Sequence, residues 1–183
     1  MLSVLLTGLL LQCPAYADLP QPREGLSAAY ASAGNSGAAL GLGERIERVG
    51  PRGVESVQFI IPPAGTPIPG RRILSAVGGL LLLEDSPAGG GGTVRQAVNA
   101  RDIERVSGLE AGEEARFRQN FSGGAGEVTV RFEGCEQFAG EAVSVYRLSS
   151  PRETRTVYIS HETGWWVRSR GPTSELVRTS ENF

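Results

Sequence analysis

The sequence predicts a mainly β fold, an antiparallel meander with one or two short helices. In the C-terminal third, apolar and polar residues alternate in short runs such as Val128-Thr-Val-Arg-Phe132 and Val157-Tyr-Ile159, which is the periodicity of a strand with one buried face. Turn signals separate these runs, at 122–126, at 134–140 (which begins and ends with Gly) and at 149–152. Short alternating runs joined by tight turns are typical of antiparallel hairpins.

The preceding region is less regular. Residues 54–61 place apolar side chains on one face, as a strand does, and residues 72–77 and 80–83 form one interrupted strand or two. The proline-rich segment 62–70 predicts an exposed loop, because proline donates no hydrogen bond to a sheet. Residues 86–92, with four consecutive glycines, predict a flexible connection.

The best helix candidate is 93–106. Thr93 and Gln96 have the spacing of a capping box at its start. The tetrapeptide Ile-Glu-Arg-Val occurs at 46–49 and again at 103–106, which raises the hypothesis that the chain contains a duplicated half.

The last hairpin can be specified further. The segment His161-Glu-Thr-Gly164 fits a three-residue loop, which pairs Ile159 with Val167 and Tyr158 with Arg168. This register predicts a core face of Val157, Ile159, Trp165 and Val167. The second face is then an aromatic and cationic patch for a ligand or partner, made of Tyr158, Trp166, Arg168 and Arg170. A two-residue loop would exchange the two faces, and the second face could instead be covered by another part of the chain.

The first 17 residues are typical of a secretory signal peptide. Residues 4–11 are mostly apolar, and Ala15-Tyr-Ala17 supplies the small residues that signal peptidase requires, although no basic residue precedes Arg23. We therefore predict cleavage after Ala17, a flexible Ala/Gly/Ser/Pro-rich arm over 18–43, a single β-rich domain over 44–183, and a periplasmic or secreted location. Lipid anchoring at Cys13 is the less favoured alternative, because Gln12 is not the small residue expected there.

Composition excludes several classes of function. Cleavage after Ala17 would leave Cys135 as a lone cysteine without an internal disulfide, either a buried apolar residue, a partner in an intermolecular disulfide or a reactive thiol. The single histidine, His161, gives no cluster for zinc. The net charge of −2 gives no basic field for nucleic acid. No cofactor, metal site, catalytic residue or membrane-spanning segment after the signal is predicted.

Residues 108–117 and 157–168 together resemble a pattern of bacterial envelope proteins, in which a Leu-x-x-Gly segment precedes a meander and a Thr-Gly hairpin closes it. The closing hairpin is similar to that of the curved half-barrel proteins that carry lipoproteins or lipids in the periplasm. The resemblance implies a half-barrel around an apolar ligand, with a concave face lined by Phe117, Val130, Phe132, Val145, Ile159 and Val167. A packed core would use the same residues.

These observations favour an exported, non-enzymatic envelope protein that binds a hydrophobic small molecule, a lipid or a partner protein. A structural or assembly role in the envelope is the alternative, and a hydrolase without a recognisable motif is third. A carrier should contain a continuous apolar cavity of a few hundred Å³, and an assembly module should show an exposed apolar or aromatic patch on a packed core. An enzyme should place His161 or Cys135 beside a carboxylate in a cleft.

Overall fold

The computed structural model describes residues 13–32, 41–121 and 124–181. These ranges form one antiparallel sheet of twelve strands, one α-helix and one 3₁₀ turn at Tyr16–Asp18. The strands are β1 (Ser27–Ser32), β2 (Gly41–Gly50), β3 (Gly53–Ile61), β4 (Ile68–Ala76), β5 (Leu81–Pro87), β6 (Val94–Arg95), β7 (Glu114–Phe121), β8 (Gly124–Phe138), β9 (Glu141–Ser149), β10 (Thr154–Ser160), β11 (Trp166–Arg170) and β12 (Glu175–Glu181). Helix α1 spans Ala100–Ser107. The predicted fold class, mainly β and antiparallel, is confirmed.

The sheet consists of two six-stranded meanders joined at their outer strands. Strands β1–β6 follow one another in space, strands β7–β12 do the same, and β1 pairs with β12. The two free edges, β6 and β7, approach each other through side chains. The Asn120 backbone N–H donates to Gln96 Oε1 at 3.1 Å, and the Asn120 side-chain amide donates to the Arg95 carbonyl at 3.3 Å. The sheet is therefore curved into a nearly closed barrel.

Two expectations and one hypothesis for the region before β7 are wrong. The segment expected to be a flexible arm contains β1, which lies between β2 and β12; small residues such as Ala28 fit there because the strand is buried. The predicted arm's residues 33–40 lie outside the described residues. The helix begins later than predicted, because the capping box is made by Asn99 and Asp102 rather than Thr93 and Gln96. The two Ile-Glu-Arg-Val segments lie in β2 and in α1, so they do not mark a duplicated element.

The N-terminal segment closes one end of the barrel. Tyr16 and Leu19 are buried, and the Tyr16 hydroxyl donates to the Gly164 carbonyl at 3.3 Å in the β10–β11 turn. Cys13 forms a disulfide with Cys135 of β8, across 122 residues of sequence. The expectation of a lone Cys135 is therefore wrong for this structure, because that expectation assigned Cys13 to a removed segment. Cleavage after Ala17 would remove both Cys13 and the buried Tyr16.

Candidate functional site

The β10–β11 hairpin differs from its predicted register by one residue. Tyr158 pairs with Arg168 as expected, but Ile159 pairs with Trp166 instead of Val167. The extra residue is a β-bulge, which places two residues of one strand opposite one of its partner. The bulge turns Trp166 into the barrel, where it is 9% exposed, and leaves Val167 in an outer cluster.

Trp165 and Trp166 share one buried acceptor. Both indole N–H groups donate to Glu44 Oε2, at 3.2 Å and 2.9 Å, and the Ser56 hydroxyl donates to Glu44 Oε1 at 2.7 Å. Burial raises the pKa of the Glu44 carboxyl, and these hydrogen bonds lower it by a smaller amount. Tyr30 stacks on Trp166 with ring centroids 3.8 Å apart. The tryptophan side chains are therefore fixed by both packing and hydrogen bonding.

A cavity of about 310 Å³ lies inside the barrel beside this group. Its apolar wall comes mainly from β2, β4, β5, β10 and β12. Polar side chains interrupt that wall, and one of them, Ser75, has a buried hydroxyl without a hydrogen-bond partner among the described residues. The lining residues are Leu42, Glu44, Gln58, Ile73, Ser75, Gly79, Leu82, Arg155, Val157, Trp166, Ser169 and Leu176.

Arg155 lies between this cavity and a smaller one. It lines both the larger cavity and a second space of about 120 Å³ that is also bounded by Gln119, Val128 and Leu148. Burial lowers the pKa of the Arg155 guanidinium, and Glu153 raises it by a smaller amount. Arg155 precedes Val157 and Ile159 on the inward face of β10, so its charged group points into the barrel.

The structure separates the predicted surface patch. Tyr158 and Arg168 lie together on the outer face, with the guanidinium 4.8 Å from the Tyr158 ring centroid. Arg168 also forms an ion pair with Glu175, so its charge is already compensated. Arg170 is exposed, whereas Trp166 is inside the barrel. These four residues therefore do not form one exposed surface.

The six predicted cavity residues also divide between two faces. Phe117, Val130, Phe132 and Ile159 belong to the interior core, and Val145 and Val167 belong to the outer cluster with Val143 and Tyr158. None of the six lines the 310 Å³ cavity. The concave face that the resemblance implies is therefore divided between the packed interior core and the outer cluster.

Sequence reasoning missed Glu44 and Arg155, although a signal for them exists. Glu44 is in phase with Leu42 and Ile46, and Arg155 is in phase with Val157 and Ile159. A charged residue on the apolar phase of a strand is directed to the interior, where charge is costly unless it is compensated. Such a residue is therefore a better indicator of an interior site than an apolar residue at the same phase.

A second polar group surrounds the disulfide. The Ser144 hydroxyl is 2.9 Å from His161 Nε2, and Cys135 Sγ is 3.7 Å from the same nitrogen. Burial lowers the pKa of the His161 imidazole, and Glu141 raises it by a smaller amount. Ser144 is fully buried, and Cys135 is in the disulfide with Cys13. Glu141 also accepts from Ser160 and forms an ion pair with Arg178.

Within residues 13–32, 41–121 and 124–181, no group of three His, Cys, Asp or Glu side chains is placed to hold a metal ion. No helix in the same ranges is long and apolar enough to cross a membrane.

No family model and no curated protein matches this chain. Two solved structures are similar in fold. The hypothetical lipoprotein YmcC from Escherichia coli K12 has 14% identity and a TM-score of 0.46, over 86% of this chain and 88% of that chain. A chain described as a putative lipoprotein from Parabacteroides distasonis has 14% identity and a TM-score of 0.41, over 92% of this chain and 99% of that chain. At this level of similarity neither structure supports an argument about function.

Proposed function

We propose that this chain is a non-enzymatic binding protein that holds a small amphipathic molecule inside its barrel. The observation that carries the proposal is the 310 Å³ cavity, which is partly open and is lined by apolar side chains together with five polar ones, those of Glu44, Gln58, Ser75, Arg155 and Ser169. Small-molecule sites are typically concave, largely apolar and oriented by a small number of polar side chains, with volumes from about 300 Å³ upwards. This cavity lies at the lower end of that range, so the occupant is a small molecule rather than a whole lipid.

An exported location is part of the proposal. Disulfides persist in oxidising compartments such as the bacterial periplasm and are rare in the cytosol. The Cys13–Cys135 disulfide therefore supports export of a mature chain that retains Cys13, which requires processing other than cleavage after Ala17. A thioether-linked lipid on Cys13 would use the same sulfur, so lipidation and this disulfide cannot coexist in one molecule.

An assembly role has weaker support. Ile60 and Ile68 face each other across β3 and β4, with exposed fractions of 43% and 55%. Two exposed side chains form a smaller apolar patch than docking surfaces usually present. The cavity therefore supports the binding function, and this patch supports only the alternative of an assembly role.

The cavity proposal is tested with N-phenyl-1-naphthylamine, an uncharged apolar fluorophore. The chain's only two tryptophans are Trp165 and Trp166, and Trp166 lines the cavity, so a bound probe should receive excitation energy from tryptophan. We expect saturable, tryptophan-sensitised probe emission. Substituting Ser169→Leu should weaken binding about tenfold, because extra methylenes in a confined space cost about 1–3 kcal/mol.

Ser180→Leu is the matched control. Ser180 is an exposed residue of the neighbouring strand β12 and does not line the cavity, so the same substitution there should leave probe affinity unchanged. Equal weakening by both variants, or no saturable binding by the wild-type protein, would contradict the proposed function.

A further inference from the structure

Arg155 is a half-buried arginine that lines the interior cavity without a charged partner among the described residues. It makes no hydrogen bond or ion pair with any described residue, in contrast to several arginines of the outer surface, which form ion pairs such as Arg72–Glu47 and Arg147–Glu133. Glu153 attracts it electrostatically but is not within ion-pair distance. An interior arginine without an anionic partner is unusual, because removing a charge from water is costly unless a partner replaces the lost solvation.

Glu44, an acidic residue that lines the same cavity, does not supply that partner. Its two oxygens already accept hydrogen bonds from Ser56, Trp165 and Trp166. These contacts hold the carboxyl against the tryptophans, and no ion pair with Arg155 forms. The cavity thus has a compensated acid on one side and an uncompensated base on the other.

From this geometry we infer that Arg155 binds an anionic head group, a carboxylate, sulfonate or phosphate, of the molecule held in the cavity. The inference rests on the proposed function and names the chemical class of its ligand. The guanidinium fork matches the geometry of such groups and can donate two parallel hydrogen bonds. The apolar part of the molecule would lie against Leu42, Ile73, Leu82 and Leu176, which line the same cavity.

The test compares two probes that differ by one anionic group. N-phenyl-1-naphthylamine is uncharged, and 1-anilinonaphthalene-8-sulfonate carries a sulfonate on the same ring system. We expect Arg155→Met to weaken binding of the sulfonate probe by about ten- to a hundredfold, the range for hydrogen bonds to a charged group. Binding of the uncharged probe should change by less than about threefold. Arg147→Met removes an arginine from the exposed outer face of β9 and should change neither affinity.

Failure of this inference differs from failure of the proposed function. If Arg155→Met leaves the sulfonate affinity unchanged, or weakens both probes equally, the anion site is overturned while the cavity proposal stands. If neither probe binds the wild-type protein, both are overturned.

A measurement on the wild-type protein avoids dependence on the folding of the variant. Octane-1-sulfonate and octan-1-ol have the same alkyl chain, and each can compete with bound N-phenyl-1-naphthylamine. We expect the sulfonate to displace the probe at a concentration at least about tenfold lower, by the same charge-assisted hydrogen bonds. Equal or weaker competition by the sulfonate would overturn the anion site.

Discussion

The two six-stranded halves of the barrel have the same hairpin topology but different interiors. In β7–β12 the inward residues include Phe132 and Tyr146, whose rings stack with centroids 4.7 Å apart and are both fully buried. In β2–β4 the corresponding inward positions include Glu44, Gln58 and Ser75, which line the cavity. The interior beside β8 and β9 is thus a packed apolar core, whereas β2–β5 and the facing strands β10–β12 form the wall of a partly polar cavity.

This difference explains where a site can exist in a barrel of this size. Large apolar side chains fill the interior at the density of an organic crystal and leave no room for a ligand. Small and polar side chains leave space, and they also supply the groups that orient a ligand. The candidate site therefore lies where the polar inward positions of β2–β4 face the strands β10–β12.

The largest expected change in the free energy of unfolding that tests this comparison is in the packed core. Phe132→Ala should lower the free energy of unfolding by about 3–5 kcal/mol, because it removes a fully buried ring and leaves a cavity. Ser75→Ala in the polar half should change it by less than about 0.5 kcal/mol or increase it, since the buried Ser75 hydroxyl has no partner among the described residues. Chemical denaturation of both variants measures these values. Similar losses for both would contradict the assignment of one half as core and the other as cavity wall.

The sequence predicted the packed half much better than the polar half. The alternation around Val128–Phe132 and Val157–Ile159 identified β8 and β10, because an apolar face against a core has a strict period of two. Trp166 was assigned to the wrong face because a β-bulge shifts the inward–outward alternation of the strand by one residue. Nothing in the local sequence indicates this bulge. Two further features were missed. Strand β1 is rich in alanine and was mistaken for an arm. Glu44 on β2 and Arg155 on β10 can be recognised as cavity residues only once these distant strands pack together.

The second effect concerns the disulfide that joins the start of the chain to the packed half. Cys13→Ser and Cys135→Ser should each lower the free energy of unfolding by about 2–4 kcal/mol, because the bridge closes a long loop. Denaturant unfolding under oxidising conditions measures this loss, and addition of a reductant should abolish the difference from the wild-type protein.

Intact mass supplies the control for this prediction. A mature chain that retains Cys13 should not react with an alkylating reagent until it is reduced, because both sulfurs are in the disulfide. If the mature chain instead begins at Asp18, Cys135 should react at once, and Cys13→Ser should leave the stability of the mature protein unchanged. That result would restore the lone-cysteine prediction and remove the disulfide as support for export.

The smallest expected effect is the pH dependence of stability that comes from Glu44, in the polar wall of the cavity. Because burial raises the pKa of Glu44 in the folded state, its protonated form is favoured by folding. The stability that protonated Glu44 contributes is fully present below the pKa of a glutamate in the unfolded chain, about 4.3. It is lost as the pH rises through the higher pKa of Glu44 in the folded protein. His161 acts in the opposite direction, since burial lowers its pKa and its contribution is lost as pH falls.

Glu44→Gln separates these two groups, because it removes the titrating carboxyl and keeps an oxygen that can accept from the indoles. The melting temperature of the variant minus that of the wild-type protein should therefore rise between pH 4 and pH 8, by about 2–4 °C for each ~1 kcal/mol in a chain of this length. Calorimetry across this pH range measures the difference, and Glu55→Gln, in the exposed Arg48–Glu55 pair, is the control that should stay near zero. A difference that does not change with pH would mean that Glu44 has the same pKa in both states, and that the cavity wall solvates it as well as water does.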